Sequence, residues 1–343
     1  MASVDLERFL PHMSKLDLPS RPRRNRKSAS IRGLVRETIV TPADLILPLF
    51  IHESKVDDAI DSMPGCHRWS LEGMVKEVGE ASALGIRAVV FFPKIEDDLK
   101  TSHGDECVNP DGLVQRAIRA VKSTYPEVTV ITDIALDPYN SDGHDGIVQK
   151  DESTGDLKII NDETVAALCD QARSHAEAGA DIVAPSDMMD GRVGAIRDAL
   201  DDADFEDVSI MSYTAKYASA YYGPFRGALD SAPKDGDKKT YQMDPANWRE
   251  ALREAEADVS EGADVLMVKP AGPYLDIIRA IREEVDLPIA AYQVSGEYLM
   301  IKSAAKDGWI DEDKIMVESL TGIKRAGADM ILTYFAKKFA QQS

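Results

Sequence analysis

The chain has 343 residues, with 60 acidic against 40 basic side chains and a formal net charge of −20. That balance argues against a nucleic-acid or anionic-membrane surface, because like charges repel, and no apolar run nears the roughly 20 residues that cross a bilayer. Hydrophobic residues make up 44%, enough for a sizeable core, which excludes a disordered chain. Cys66, Cys107 and Cys169 stand too far apart for a disulfide framework or a CxxC zinc site. Residues 1–10 carry Asp5 and Glu7 and no apolar signal core. The expectation is an unsecreted protein of a reducing compartment: cytoplasmic, or plastid if a transit peptide has been removed.

Residues 1–40 read as an N-terminal arm, with Pro11, Pro19 and Pro22 around a basic run, RPRRNRK at 21–27, and no sustained period. That run is either a solvated tail or a grip on a neighbouring acidic subunit. From residue 41 a rhythm sets in. Short apolar runs recur at 45–51, 86–92, 128–134, 181–184, 208–212, 264–268, 288–294 and 329–333. Consecutive Val, Ile, Leu and Ala suit strands buried on both faces. Amphipathic segments of helical length separate them, among them 70–84, 113–124, 162–178, 191–200, 245–261 and 274–285. Three joints repeat Gly-Ala-Asp, at 179–181, 262–264 and 327–329, where the glycine can end a helix in a left-handed turn. Eight strands alternating with helices predict a single (β/α)8 TIM barrel over 41–343. A doubly wound sheet is the alternative, but no Gly-x-Gly-x-x-Gly follows the first strand.

Barrel chemistry sits where strands end. The sixth strand ends at Lys269 and Pro270, the fifth runs into Lys216, and the third ends at Asp133. A lysine leaving a buried apolar strand should have a lowered pKa, and a second ammonium beside it lowers it further. A neutral amine attacks carbonyls and forms Schiff bases. The plainer reading pairs either lysine with a carboxylate such as Asp133. The stretch 133–145 is rich in carboxylates, and Asp137 and Asp145 are candidates for an active-site cation of the hard type, although an acidic loop would look the same. His144 reads as a hydrogen-bonding bystander. The long connection after 213 suits a cover over a site. Within it Arg226 and Lys239 suit a substrate carboxylate, whereas Lys238 reads as a solvated surface cation. Glu250, Glu254, Glu256 and Glu261 read first as the wet face of a helix.

Several strings then carry a resemblance: RPRR at 21–24, SDMMDGR at 186–192, YTAKYAS at 213–219, YGPFR at 222–226, YQMDPAN at 241–247, MVKP at 267–270 and YQVSGEY at 292–298. In this order, over about 21–339, they are similar to the porphobilinogen synthase family. The resemblance implies condensation of two 5-aminolevulinate molecules into porphobilinogen. It implies that Lys269 holds the first substrate as a Schiff base and Lys216 the second. Ser295 and Tyr334 match residues that bind the first substrate's carboxylate, and Arg226 and Lys239 the lid cations for the second. Zinc-dependent members carry three cysteines where this chain has Ala135, Asp137 and Asp145. Thiolates favour zinc and carboxylates magnesium, so no zinc is expected. Glu254 matches the position that holds an activating Mg²⁺, which overturns its reading as a mere wet-face residue. The family also implies a homo-octamer with arms exchanged between subunits, and Mg²⁺ acting allosterically on that assembly. A class I aldolase and a non-catalytic barrel are the rivals; an aldolase needs one lysine, a scaffold neither.

Overall fold

The computed structural model describes residues 18–150, 157–229 and 233–343. They divide at Ile39 into a short N-terminal unit and a large unit, Val40–Ser343. In the short unit, Pro22 opens a single 3-10 turn, Pro22–Arg26, and Ser28 caps the helix Ala29–Leu34 by accepting from the Ile31 N–H at 3.3 Å.

The large unit is a closed parallel barrel of eight strands: β1 Leu45–Ile51, β2 Ala88–Pro93, β3 Thr129–Ile134, β4 Ile182–Pro185, β5 Ser209–Lys216, β6 Val265–Lys269, β7 Ile289–Gln293 and β8 Met330–Thr333. Each strand pairs with the next, and β8 returns to β1 through Leu45 opposite Ile331. Alternation within the runs explains their continuous apolar character. On β1, Leu45, Leu47, Leu49 and Ile51 pack among the helices, while Ile46 and Phe50 join Val90, Phe92, Ile131 and Met267 inside the barrel.

The helices Leu71–Ala83, Leu113–Thr124, Asn161–Ala178, Arg192–Asp201, Arg249–Ser260 and Leu275–Glu284 lie where amphipathic spacing puts them. Two more, Ser295–Lys306 and Glu312–Ala326, both lie in the crossover from β7 to β8. The fifth strand is longer than its apolar run, 208–212. It continues to Lys216 because β6, after a register shift across Tyr213 and Thr214, pairs again with Ala215 and Lys216. Two antiparallel pairs absent from the sequence reading decorate the barrel, Asp58–Ala59 with His67–Trp69 and Ile147–Lys150 with Leu157–Ile160.

The repeated Gly-Ala-Asp joints share one construction. Gly179, Gly262 and Gly327 have φ of 103°, 94° and 132°. Each following aspartate turns back to accept an N–H from the first or second residue of the preceding strand. Asp181 takes Val130 N at 2.7 Å, Asp264 takes Ile210 N at 2.7 Å, and Asp329 takes Ile289 N at 2.8 Å. Donors that would lack partners at the amino-terminal rim are thereby satisfied.

Candidate active site

At the carboxyl-terminal rim, Lys216 and Lys269 sit directly opposite each other as the last register pair of β5 and β6. Both are buried, at 5% and 7% exposure. Their surroundings differ. Lys216 Nζ donates to the Ser186 carbonyl and lies 3.6 Å from Asp145 Oδ2. The carbonyl is presented by a tight turn after β4, in which Met188 holds φ 69° and Asp187 Oδ1 accepts the Met189 N–H at 2.7 Å. A non-glycine residue in the left-handed region is strained, and such strain persists where surrounding bonds over-determine it.

Lys269 has no ion pair among the described residues. Aromatic rings enclose its Nζ instead: Tyr292 at 4.8 Å, Tyr213 and Tyr222 at 5.1 Å, Phe225 at 5.3 Å. Loss of hydration, reinforced by the Lys216 charge, brings its pKa down to about 7. The amine is therefore substantially neutral at physiological pH, which is the direction its sequence setting predicts.

Asp133, Asp137 and Asp145 share the pocket with both lysines. Burial, reinforced by Asp137, pushes the Asp133 carboxyl up to about 7, and its Oδ1 is buried without a partner. Burial also raises Asp137. Burial would raise Asp145 as well, but Lys216 and Lys238 hold it low.

Lys238 corrects the sequence reading. Far from being a solvated surface cation, it bridges Asp137 at 3.3 Å and Asp145 at 3.0 Å with its side chain only 9% exposed. Lys239 stands outside, 75% exposed and paired with Asp237 at 3.2 Å. The loop bends so that the first of two adjacent lysines turns inward, a choice that nothing in a Lys-Lys pair announces. The Asp137–Asp145 pair thus faces an ammonium. Among the described residues, no group of three or more His, Cys, Asp or Glu side chains has the geometry to hold a metal ion.

Ser295 is fully buried, and its Oγ accepts the Phe225 N–H at 3.0 Å. Tyr334 shares a 2.7 Å hydrogen bond with Tyr292, whose ring lies beneath Lys269. Arg226 falls within the helix Gly223–Leu229, but its side chain lies outside the described residues. His144 meets Tyr241 Oη at 3.1 Å and the Asp235 carbonyl at 2.9 Å, the expected bystander's place. Glu254 lies on the helix Arg249–Ser260, apart from the lysines, in a cavity of about 510 Å³ that it shares with Asp190, Asn247 and Glu250. It is half-buried, makes no hydrogen bond or ion pair among the described residues, and burial raises its pKa despite Arg192 nearby. Sequence reasoning passed over the aromatic cage. The signal for it was aromatic residues at inward-facing strand positions, Tyr213 and Tyr292, beside a strand-end lysine.

A (β/α)8 barrel with two buried amines side by side at its carboxyl-terminal rim, flanked by carboxylates, is an enzyme equipped for carbonyl chemistry. Comparison with known proteins supplies the particular case. The family model for delta-aminolevulinic acid dehydratase matches residues 19–342. The chloroplastic delta-aminolevulinic acid dehydratases of Selaginella martensii and Physcomitrium patens are 62% and 60% identical over 333 residues, 96% of this chain and 78% and 76% of theirs. A crystal structure of delta-aminolevulinic acid dehydratase (porphobilinogen synthase) from Toxoplasma gondii, in complex with the reaction product porphobilinogen, is 55% identical. It superposes with a TM-score of 0.93 over 96% of this chain and 92% of that one. The chain belongs to the delta-aminolevulinic acid dehydratase family. Its activity is that of a lyase of tetrapyrrole biosynthesis, condensing two molecules of 5-aminolevulinate into porphobilinogen with loss of two waters.

Proposed function

We propose that both lysines carry the reaction as Schiff bases, Lys269 with the first 5-aminolevulinate and Lys216 with the second. The observation that carries this reading is the register pair itself: two buried amines on adjacent strand ends, one with no ion pair among the described residues. Each amine adds to a substrate ketone and one water leaves as each imine forms. Loss of a proton from carbon turns one imine into a nucleophilic enamine. One new C–C and one new C–N bond then displace the two lysines, so both amines return and two waters are the net loss. Holding the imines side by side makes the bond-forming steps effectively unimolecular. Asp133, whose pKa is near 7, suits a proton shuttle or an anchor for the second substrate's amine. Ser295 and Tyr334 are assigned to the first substrate's carboxylate, and Arg226 to the second's. Lys238 replaces Lys239 as the lid cation in this assignment, because only Lys238 reaches the pocket.

Magnesium is proposed as an activating ion and zinc is not. Among the described residues Glu254 offers an oxygen donor with no partner of its own, in a cavity where Asp190, Asp244 and Glu250 outnumber Lys158 and Lys239, which suits a hard cation. A bound Mg²⁺ would supply charge neutralisation there. Ala135, Asp137 and Asp145 offer no thiolate for zinc. A homo-octamer with exchanged arms, biased by Mg²⁺, completes the reading. The plant relatives are named chloroplastic, so a plastid location takes the place of the cytoplasmic expectation.

Borohydride reduction in the presence of 5-aminolevulinate, followed by peptide mapping, tests the central assignment. Adducts at Lys269 and Lys216 are expected; an active enzyme trapped at neither would sink it.

A further inference from the structure

Glu297 sits in the first turn of the helix Ser295–Lys306 and is 8% exposed. One carboxylate oxygen, Oε2, accepts the Val294 N–H at 2.8 Å, the ordinary reach-back of a glutamate at a helix start. The other does something a helix cap does not require. Oε1 accepts the Gly272 N–H at 2.7 Å, from the loop that leaves β6. Gly272 lies three residues beyond Lys269, and Val294 immediately precedes Ser295. The carboxylate therefore spans the exits of two neighbouring strands, one carrying the amine and the other leading to the buried hydroxyl.

Two further facts single out this bridge. A Cβ on Gly272 would lie 2.5 Å from Oε1, so only glycine admits the contact. Among the described residues the carboxylate has no ion pair. Burial pushes its pKa up to about 7 against the pull of the backbone N–H groups. A carboxylate kept dry without a cation is a costly way to cap a helix, since an uncharged serine hydroxyl at the cap does as well.

We propose that Glu297 is a positioning residue whose carboxylate ties the exits of β6 and β7 and so fixes the Lys269 amine relative to the Ser295 hydroxyl. This rests on the Schiff-base reading, in which those two groups grip opposite ends of one substrate. Carbinolamine formation at Lys269 then depends on a spacing that Glu297 maintains, while chemistry at Lys216, anchored to the Ser186 carbonyl, does not.

The test is borohydride trapping with 5-aminolevulinate, mapped separately at the two lysines, in Glu297→Gln, Glu297→Asp and Gly272→Ala enzymes. In Glu297→Gln an amide NH₂ must face one backbone N–H, donor against donor. Trapping at Lys269 should slow by about tenfold or more, with KM raised, while trapping at Lys216 keeps its rate. Glu297→Asp should recover part of the loss. Gly272→Ala should reproduce the defect by displacing Oε1, and the double variant should be no slower than the slower single one. Equal slowing at both lysines, wild-type rates, or additive defects would overturn the proposal. If Glu297→Gln does not fold, Gly272→Ala alone decides by the same split. Failure to trap wild-type enzyme at either lysine would instead strike the Schiff-base reading beneath it.

Discussion

Replacing Lys216 by methionine should make Lys269 a weaker nucleophile at neutral pH, although the two side chains share no bond. Lys269 is brought from 10.5 to about 7, first by burial and then by the Lys216 charge. That shift corresponds to about 5 kcal/mol of preference for the neutral amine. At pH 8 it raises the neutral fraction from about 0.3% to about 90%. Removing Lys216 leaves the burial effect in place but deletes the like-charge repulsion. It also frees the pull of Asp133, Asp137 and Asp145, which favours the ammonium. Both changes act in the same direction, so the Lys269 pKa should rise by about one pH unit or more. The assay is the rate of borohydride trapping at Lys269 with 5-aminolevulinate between pH 6 and 10. The midpoint should move to higher pH, with a rate at pH 7 slower by about fivefold or more. An unmoved midpoint, or one displaced to lower pH, would refute the electrostatic account of the pair.

Lys238→Met should lower stability by about 3 kcal/mol, because it strands the buried Asp137 carboxylate and leaves Asp145 with Lys216 alone, whereas Lys239→Met should leave the melting curve unchanged; thermal unfolding of the two variants separates them. Lys269 binds fewer protons folded than unfolded between its folded value near 7 and 10.5, so wild-type stability should gain a contribution as pH rises through that window. Lys269→Met should remove that contribution, which urea titrations at pH 7 and 9 would read. Glu254→Gln should abolish Mg²⁺ stimulation of porphobilinogen formation in metal-free buffer while leaving basal activity, and Zn²⁺ should stimulate neither enzyme. Light scattering with and without chelator should show the mass of the assembly falling when Mg²⁺ is removed; lost activity at unchanged mass would count against control by assembly.

Much of the barrel was legible because strands buried on both faces must be apolar at consecutive positions, and each run from 45–51 to 329–333 is. Lys269 was legible for the opposite reason: a charge at the end of Val265-Leu266-Met267-Val268 has no ordinary structural excuse. Lys238 was not legible. Two adjacent lysines differ in burial only through the path of the loop, and that path is set by contacts such as Lys234 N–H to the Asp142 carbonyl at 3.0 Å, far apart in sequence. The second hydrogen bond of Glu297 was hidden for the same reason, since its partner Gly272 comes from another strand. Local pattern records which face a residue needs, and not which distant backbone group will meet it there.

The aspartates of the Gly-Ala-Asp joints act at the rim opposite the chemistry, yet one of them reaches it. Each locks a pair of strands against axial slip: β3 with β4, β5 with β6, β7 with β8. The β5–β6 pair is the one whose far ends hold Lys216 and Lys269. A slip of one residue between these strands would separate the two amines by about 3.3 Å along the barrel axis, enough to take one of two joined imines out of reach. Asp264 thus anchors one end of this pairing, and the single register shift between Leu266 and Val268 then brings Lys269 opposite Lys216, as a stop and one notch along a slide together set its travel.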